Sequence, residues 1–283
     1  MTVGSMGFVI ENCLFHAAQL ALIAFGITLG ARATGFFSFV PAGSALVCPF
    51  ITGAMLGAGV PVIAAFLFGL SGAGALAWLG WSAMHRPAGD ADRSTLWAQL
   101  LLSLGAYYVV KSGCALAFGD DLKILPKLAG GRTLWQIIAL VFFFASAAVV
   151  ITTAWGREWR ALATNRDLSI ILGLPVRRRQ TEAFVGGAIL CALGASAYAA
   201  DTGFHPGYEL PLFFRGITVA IIGGLGRPWG LAAGAVLLAV AQQATAYYLG
   251  AQWIDAATFG ILVGFLIWKP LGFSGRRLKK VEV

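Results

Sequence analysis

The sequence predicts an all-α, polytopic integral membrane protein with roughly eight to nine transmembrane helices. Three observations predict it. Hydrophobic residues make up 59% of the 283 residues and charged ones only 11%, giving a mean hydropathy of +0.81. Apolar runs of about fifteen to twenty residues recur along the chain, which is the length a helix needs to cross the hydrocarbon core. Nowhere do polar and apolar residues alternate over ten-residue stretches as barrel strands require. Lipid offers no partner to an unpaired backbone group, so the spans are helices.

Reading runs against breaks places helices near 13–31, 36–57, 61–82, 95–117, 134–155, 181–200, 211–225, 229–248 and 256–271. The breaks have local causes. Gly57, Gly59 and Pro61 form a tight turn, HRPAGDADR a polar loop, and FGDD followed by Pro126 and GGR another. Neither loop is long enough to be a domain, so residues 1–283 are expected to form one transmembrane domain.

Orientation follows from the loops that carry Lys and Arg. Six arginines crowd into GREWRALATNRDLSIILGLPVRRR: Arg157, Arg160, Arg166, Arg177, Arg178 and Arg179. If that stretch is cytoplasmic, only Lys111, Lys123, Lys127, Arg132 and Arg215 fall on the other side. The chain is then expected to start outside the membrane and to end in a short cytoplasmic tail, 274–283. Asp201, Glu209 and Asp255 fall on outer loops. MTVGSMGFVIENCLF lacks a basic region and a small-residue cleavage site, so the first span is expected to stay.

Several function classes are excluded. A net charge of +8 invites a nucleic-acid reading, but no soluble domain displays a basic face, and cytoplasmic Lys and Arg have a topological origin. Cys13, Cys48, Cys114 and Cys191 form no CxxC and read as buried thiols. Asp201, His205 and Glu209 fit no metal motif and are expected in a solvated loop. No catalytic residue and no metal site is assigned. His16, His85 and His205 are scattered, unlike the clustered polar groups of a membrane enzyme. Almost no ionisable group falls at mid-depth in a span, so a proton- or sodium-coupled mechanism lacks its usual carboxylates. There is no GxxxxGK[ST], so any ATP and Mg²⁺ chemistry would have to belong to another subunit.

The arginine-rich stretch has more structure than a topology signal needs. Arg177 to Arg179 alone would stop translocation. EWRALATN reads as a short helix, Asn165-Arg166-Asp167 as a turn or cap, and LSIILGL as a second apolar piece ended by Gly173 and Pro175. Trp159, Leu162, Ala163, Ile170 and Ile171 give an apolar side; Arg157, Arg160, Arg166 and Asp167 a charged one. The expected result is a cytoplasmic helical hairpin over 156–179, either lying in the membrane interface or presenting a docking surface. The short apolar segment 211–225, followed by GGLGRPWG, is an interrupted helix of the kind found at transport sites, or a glycine-packed contact.

The span from Trp155 to Gln243 resembles the permeases of the branched-chain amino acid ABC importer family. The matching residues are Gly156, Arg160-Ala161, Asn165 to Asp167 and Leu172-Gly173, then Gly223, Gly224, Leu225, Gly226, Pro228, Gly230 and Gly234, and finally Pro270, Gly272 and Gly275 in KPLGFSG. AQLALIAFGITLG matches more loosely. Where the family carries Asn-Phe-Ala-His-Gly after the first span, this chain has Ser38, Phe39, Val40, Pro41, Ala42 and Gly43.

The resemblance implies that the hairpin is a coupling element for an ATP-binding subunit, with Gly156, Arg157, Arg160, Ala161, Asn165, Arg166, Asp167 and Gly173 as its residues. It implies a second related permease or a second copy, two cytoplasmic ATP-binding subunits and an extracytoplasmic solute-binding protein, with lipid around them. Ser38, Phe39, Gly43, Thr218, Gly223, Gly224 and Gly226 are the candidate pathway residues. The solute would be a small neutral or zwitterionic one: an amino acid, amide or urea. A carrier or channel that works alone is the alternative.

Overall fold

The computed structural model describes residues 3–85, 93–125, 131–225 and 227–269. All its described elements are helices, joined by short turns: α1 (Val3–Thr34), α2 (Val40–Gly57), α3 (Val62–His85), α4 (Arg93–Phe118), α5 (Gly131–Thr152), α6 (Ala154–Thr164), α7 (Arg166–Ile171), α8 (Val176–Thr202), α9 (Glu209–Gly223), α10 (Pro228–Tyr248) and α11 (Ile254–Trp268), the last preceded by a 3₁₀ turn at Ala251–Trp253. Eight of the described helices are long and apolar enough to cross a membrane. With α9 they match the nine expected spans, while α6 and α7 are the expected hairpin. Calls at 86–92, 126–130, Gly226 and 270–283, including the tail and Pro270, Gly272 and Gly275, lie outside the described residues.

The bundle is built around α1 and α8. Their apolar windows are 83% and 72% buried, against 11% for α11. The reason is the close approach that glycine permits. Gly26 and Gly187 face each other, and a Cβ on Gly187 would collide with the Gly26 carbonyl and reach the Gly30 amide at 3.3 Å. Farther along, Gly194 and Gly216 leave room for the Ile23 side chain, bringing α8 and α9 against the same stretch of α1. Helices α2 and α3 pack on this centre, and α4, α5, α10 and α11 present apolar faces outward.

Several boundaries differ from expectation. Gly35, at φ +83°, ends α1, and α2 begins only at Val40 because Pro41 sits where a helix tolerates a missing N–H. Helix α8 begins at Val176, so Arg177 to Arg179 form its first turn rather than a loop. Pairs to Glu182 at i+3 and i+4 support that extra turn.

The loop after α8 corrects a second expectation. It is not a solvated loop: Phe204 is 1% exposed and Glu209 1%, although Asp201 and His205 remain at the surface. Glu209 opens α9, Asp255 opens α11 and Asp201 lies in the last turn of α8, so none of the three acids stands on a loop. Glu209 is buried because it finds donors inward. It accepts from Tyr107 Oη at 2.6 Å and from the Gly207 amide at 3.0 Å. Tyr208 Oη donates to the Ala45 carbonyl at 3.0 Å. Lys123 and Phe204 exchange two backbone hydrogen bonds of 2.8 Å, joining this loop to the one after α4. Lys123 Nζ donates to the Phe118 carbonyl and lies over the Phe50 and Phe118 rings.

Two outcomes follow. Gly187→Val forces α1 and α8 apart and costs at least about 3 kcal/mol, read as failure to recover a monodisperse chain from detergent; Gly105→Val, at an open site on α4, leaves recovery unchanged. Tyr107→Phe removes one of two donors to a buried carboxylate and lowers stability by about 1–3 kcal/mol, measured as a lower thermal midpoint.

Candidate functional site

The polar end of the bundle is built on the turn between α5 and α6. Thr153 is extended, at φ −81° and ψ 161°; its Oγ1 accepts from the Gly156 amide at 3.1 Å and donates to the Val149 carbonyl at 2.6 Å. Gly156 lies so close to the backbone of Val149 and Val150 that any Cβ would strike it. The family-like glycine is thus a steric requirement of a nearly continuous chain reversal.

Helix α6 then runs along the ends of α1 and α8. Trp159 and Leu162 are buried beneath it, as expected from its apolar side. Trp159 Nε1 donates to the Leu29 carbonyl at 3.1 Å, and the Arg32 guanidinium lies 5.6 Å from its ring centre. Asn165, at φ −152° and ψ 109°, ends α6 and caps α7, its Oδ1 accepting from the Leu168 amide at 3.1 Å. After α7, Gly173 takes φ +73°. The Gly173 and Leu174 amides bond back to Ile170 and Ser169 at 2.9 and 3.1 Å, a Schellman ending that turns the chain into Pro175 and α8.

The break at Asn165 changes which side chains are presented. Ile170 and Ile171 were expected beside Trp159 and Leu162, but they are 55% and 81% exposed, flanked by exposed Leu168 and Leu172. The extended Asn165 turns α7 out of the register of α6. The tip therefore carries an apolar patch next to exposed Ala161, Arg166 and Asp167. Arg160 behaves differently from an outward charge: its Nη1 donates to the Val150 and Ile151 carbonyls at 2.6 and 3.1 Å, and Arg157 to Thr152 at 3.3 Å. Both cations complement the negative end of α5.

The root of the hairpin holds a network that the motif reading passed over. Arg179 Nε meets Glu158 Oε2 at 2.5 Å and its Nη1 meets Glu182 Oε2 at 2.6 Å; Arg178 and Trp155 Nε1 both reach Glu182 at 2.8 Å. Gln180 Nε2 donates to the Ala33 carbonyl at 3.0 Å. The RRRQTE spacing signals the pairs within α8. Nothing in the sequence signals the bond from Glu158 to Arg179, which depends on the path of the hairpin.

The candidate pathway residues divide into two places. Phe39 contacts α9 through rings 5.8 and 6.3 Å from Phe213 and Phe214, and Thr218 lies buried on that helix with its hydroxyl on the Phe214 carbonyl. Gly223 packs on Gly230 and Leu231, and Gly224, at φ +81°, ends α9. Ser38 accepts from the Val40 amide at 3.2 Å. Gly43 faces Leu76 and Val110 instead, between α2, α3 and α4. Helix α9 is only 15 residues long, about 22 Å, short of the hydrocarbon thickness of about 30 Å. Among the described residues no three His, Cys, Asp or Glu meet at metal-binding distance.

With this geometry in view, the chain can be set beside known proteins. The family described as branched-chain amino acid transport system / permease component matches residues 9–268. The permease LivH of Salmonella typhimurium, named for a high-affinity branched-chain amino acid transport system, is 24% identical over 94% of each chain. BraD of Pseudomonas aeruginosa, named likewise, is also 24% identical over 94% of each. LsrC of Klebsiella pneumoniae, an autoinducer 2 import system permease, is 29% identical over 52% of this chain and 46% of its own. Among solved structures, a chain of PsaBC from Streptococcus pneumoniae in complex with Fab shares the fold at TM-score 0.51 and 12% identity, covering 91% of each chain. The multi-pass helical bundle, the ordered glycine motifs and a family match over nearly the whole chain converge: this protein belongs to the branched-chain amino acid transport-system permease family.

Proposed function

We propose that this chain is the single transmembrane domain by which an ATP-driven importer moves a small polar solute inward, and that the α6–α7 hairpin is where a cytoplasmic ATP-binding subunit docks. The observation that carries this reading is the contrast between the two ends of the hairpin. Its root is fixed to α1 and α8 by Trp159, Gln180 and the Glu158–Arg179–Glu182 network. Its tip exposes Leu168, Ile170, Ile171 and Leu172 with Arg166 and Asp167 beside them. A tip that binds and a root that does not yield is what a rigid-body transmission needs. Gly156, Asn165 and Gly173 set its shape, Arg157 and Arg160 hold its base to α5, and Ala161 adds to its outer surface.

The same reading assigns the remaining parts. ATP and Mg²⁺ are bound by two partner subunits, a solute-binding protein meets the opposite face, and a second related permease or a second copy completes the path. The N-terminus lies outside the inner membrane and the C-terminus in the cytoplasm, in agreement with the basic residues gathered at the hairpin end. The relatives' names point to amino acids and to autoinducer 2, and the chain carries few charges, so the solute is a small zwitterionic or neutral polar molecule. Phe39 and Thr218, with Gly223 and Gly224 at the end of the short α9, border its route, and Ser38 supports it from the turn before α2. Gly43 belongs to it only through its place in the motif, and Gly226 is proposed with them from the sequence alone.

Affinity purification of the chain from its host tests docking. The wild type is expected to retain an ATP-binding subunit, and the Asp167→Ala/Ile171→Asp double variant to lose it while keeping its thermal midpoint. A chain that elutes alone and transports in liposomes without ATP would instead be a carrier. Arg179→Ala tests the root: it costs about 1 kcal/mol locally, and the ATP-binding subunit stays bound while solute moved per ATP falls several-fold. Unchanged stoichiometry in that variant sinks the transmission role.

A further inference from the structure

A cavity of about 330 Å³ opens at the hairpin end of the bundle, between α1, α5, α6 and the turn before α10. Thr28, Trp159, Arg160, Leu225, Arg227 and Trp229 are among its lining residues, and no carboxylate stands among the described residues that line it. Two guanidinium groups therefore share one small space without a counter-charge. Among the described residues Arg160 engages only its Nη1, on the α5 carbonyls, which leaves Nε and Nη2 to donate. The Arg227 carbonyl accepts from the Gly230 and Leu231 amides at 3.1 and 3.3 Å, while its guanidinium meets no hydrogen-bond or ion-pair partner among the described residues. Its position compounds the imbalance, since it caps the N-terminus of α10, where the helix dipole already favours negative charge.

The walls show which way the cavity faces. Trp229 is 68% exposed, and its ring lies 6.2 Å from that of Phe144, itself half exposed on α5. Together they bridge α5 and α10 beside the cavity, which Trp229 lines and Phe144 adjoins through that ring. Beyond this pair the outward faces of those helices stay apolar, through Val141 and Val149 on one and Val236 and Val240 on the other. Two arginines at one end of the bundle, an exposed tryptophan beside them and apolar side chains along the adjoining spans are the three features expected of a lipid-binding seam.

We infer that this cavity binds the phosphate of an anionic phospholipid, with Arg227 and the free donors of Arg160 on the headgroup and the Trp229–Phe144 wall against the start of an acyl chain. Planar guanidiniums offer paired donors that match phosphate oxygens. The lipid would neutralise the charge pair and fill the gap between the hairpin base and α10, so it acts as a structural ligand at the junction of α5, α6 and α10. A carboxylate from a docked subunit is the rival occupant, but a cavity flanked by exposed aromatic and aliphatic side chains of two spans favours lipid.

Native mass spectrometry of the delipidated full chain, purified free of its ATP-binding subunit and titrated with phosphatidylglycerol or with phosphatidylcholine of the same acyl chains, tests the site. The expected result is retention of phosphatidylglycerol over phosphatidylcholine, with Arg227→Gln weakening retention about tenfold, the loss of one charge-assisted interaction. Arg177→Gln, an exposed arginine outside the cavity, should leave retention unchanged. Arg227→Lys, which keeps the charge and loses the fork, should fall between and guards against misfolding of the glutamine variant. Equal retention of the two lipids, no effect of Arg227→Gln, or an equal effect of Arg177→Gln would overturn the assignment. So would displacement of the lipid by inorganic phosphate alone, which marks a free-anion site, or by adding back the ATP-binding subunit, which marks a protein contact. The readout is lipid retention without turnover, so its failure leaves the importer reading standing.

Discussion

The backbone contact between α1 and α8 is the constraint on which the rest depends. Gly26 and Gly187 bring two main chains together without intervening side chains, and Gly30, Gly194 and Gly216 extend that closeness above and below. In lipid, burying apolar side chains gains little, because the surroundings are apolar already; close packing has to supply the attraction. Once α1 and α8 are joined, their hairpin-side ends are fixed in relation to each other. The Leu29 and Ala33 carbonyls then stand where Trp159 and Gln180 can reach them. Rigidity at the hairpin root is thus inherited from glycines deep in the bundle.

The two ends of the molecule spend their polar groups in different ways. At the hairpin end, charges are shared among several partly exposed partners, and Arg179 answers both Glu158 and Glu182. Such networks hold orientation more than they add stability, because water competes at every member. At the opposite end, one carboxylate, Glu209, is withdrawn from solvent and given two donors. That arrangement fixes where the short α9 begins, and therefore how deep it reaches. The Arg215–Asp255 pair, at 2.8 Å, ties the same part of α9 to α11.

What the sequence made legible follows from the range of each signal. Hydropathy marks spans because each is a local property: every expected helix has a counterpart, eight of them long enough to span, although α1 starts ten residues before the expected 13. The caps at Asn165 and Gly173 were legible for the same reason. Ile170 and Ile171 were misplaced because an amphipathic reading assumes one continuous helix, and a single extended residue between α6 and α7 broke the period. Glu209 was misread because burial of an acid depends on Tyr107, a hundred residues away. Likewise Arg179 looked like part of a topology signal until its partner on α6 came into view. The pathway residues drawn from motif resemblance gather partly around α9, yet Gly43 faces elsewhere, since a motif fixes position along the chain and not the side it turns to.

The paired loops at the end away from the hairpin carry a further consequence. Lys123 and Phe204 exchange their hydrogen bonds through main-chain atoms, while their side chains meet around the Phe50 ring. That pairing depends on spacing. Gly203, at φ +80°, and Gly119, at φ +81°, set the two approaches, and one residue more or fewer on either side slides the partners out of register. Descendants of this chain can therefore change the exposed residues of these loops, such as Leu122 and His205, while keeping the loop length, which leaves this end a surface of constant shape and changeable chemistry.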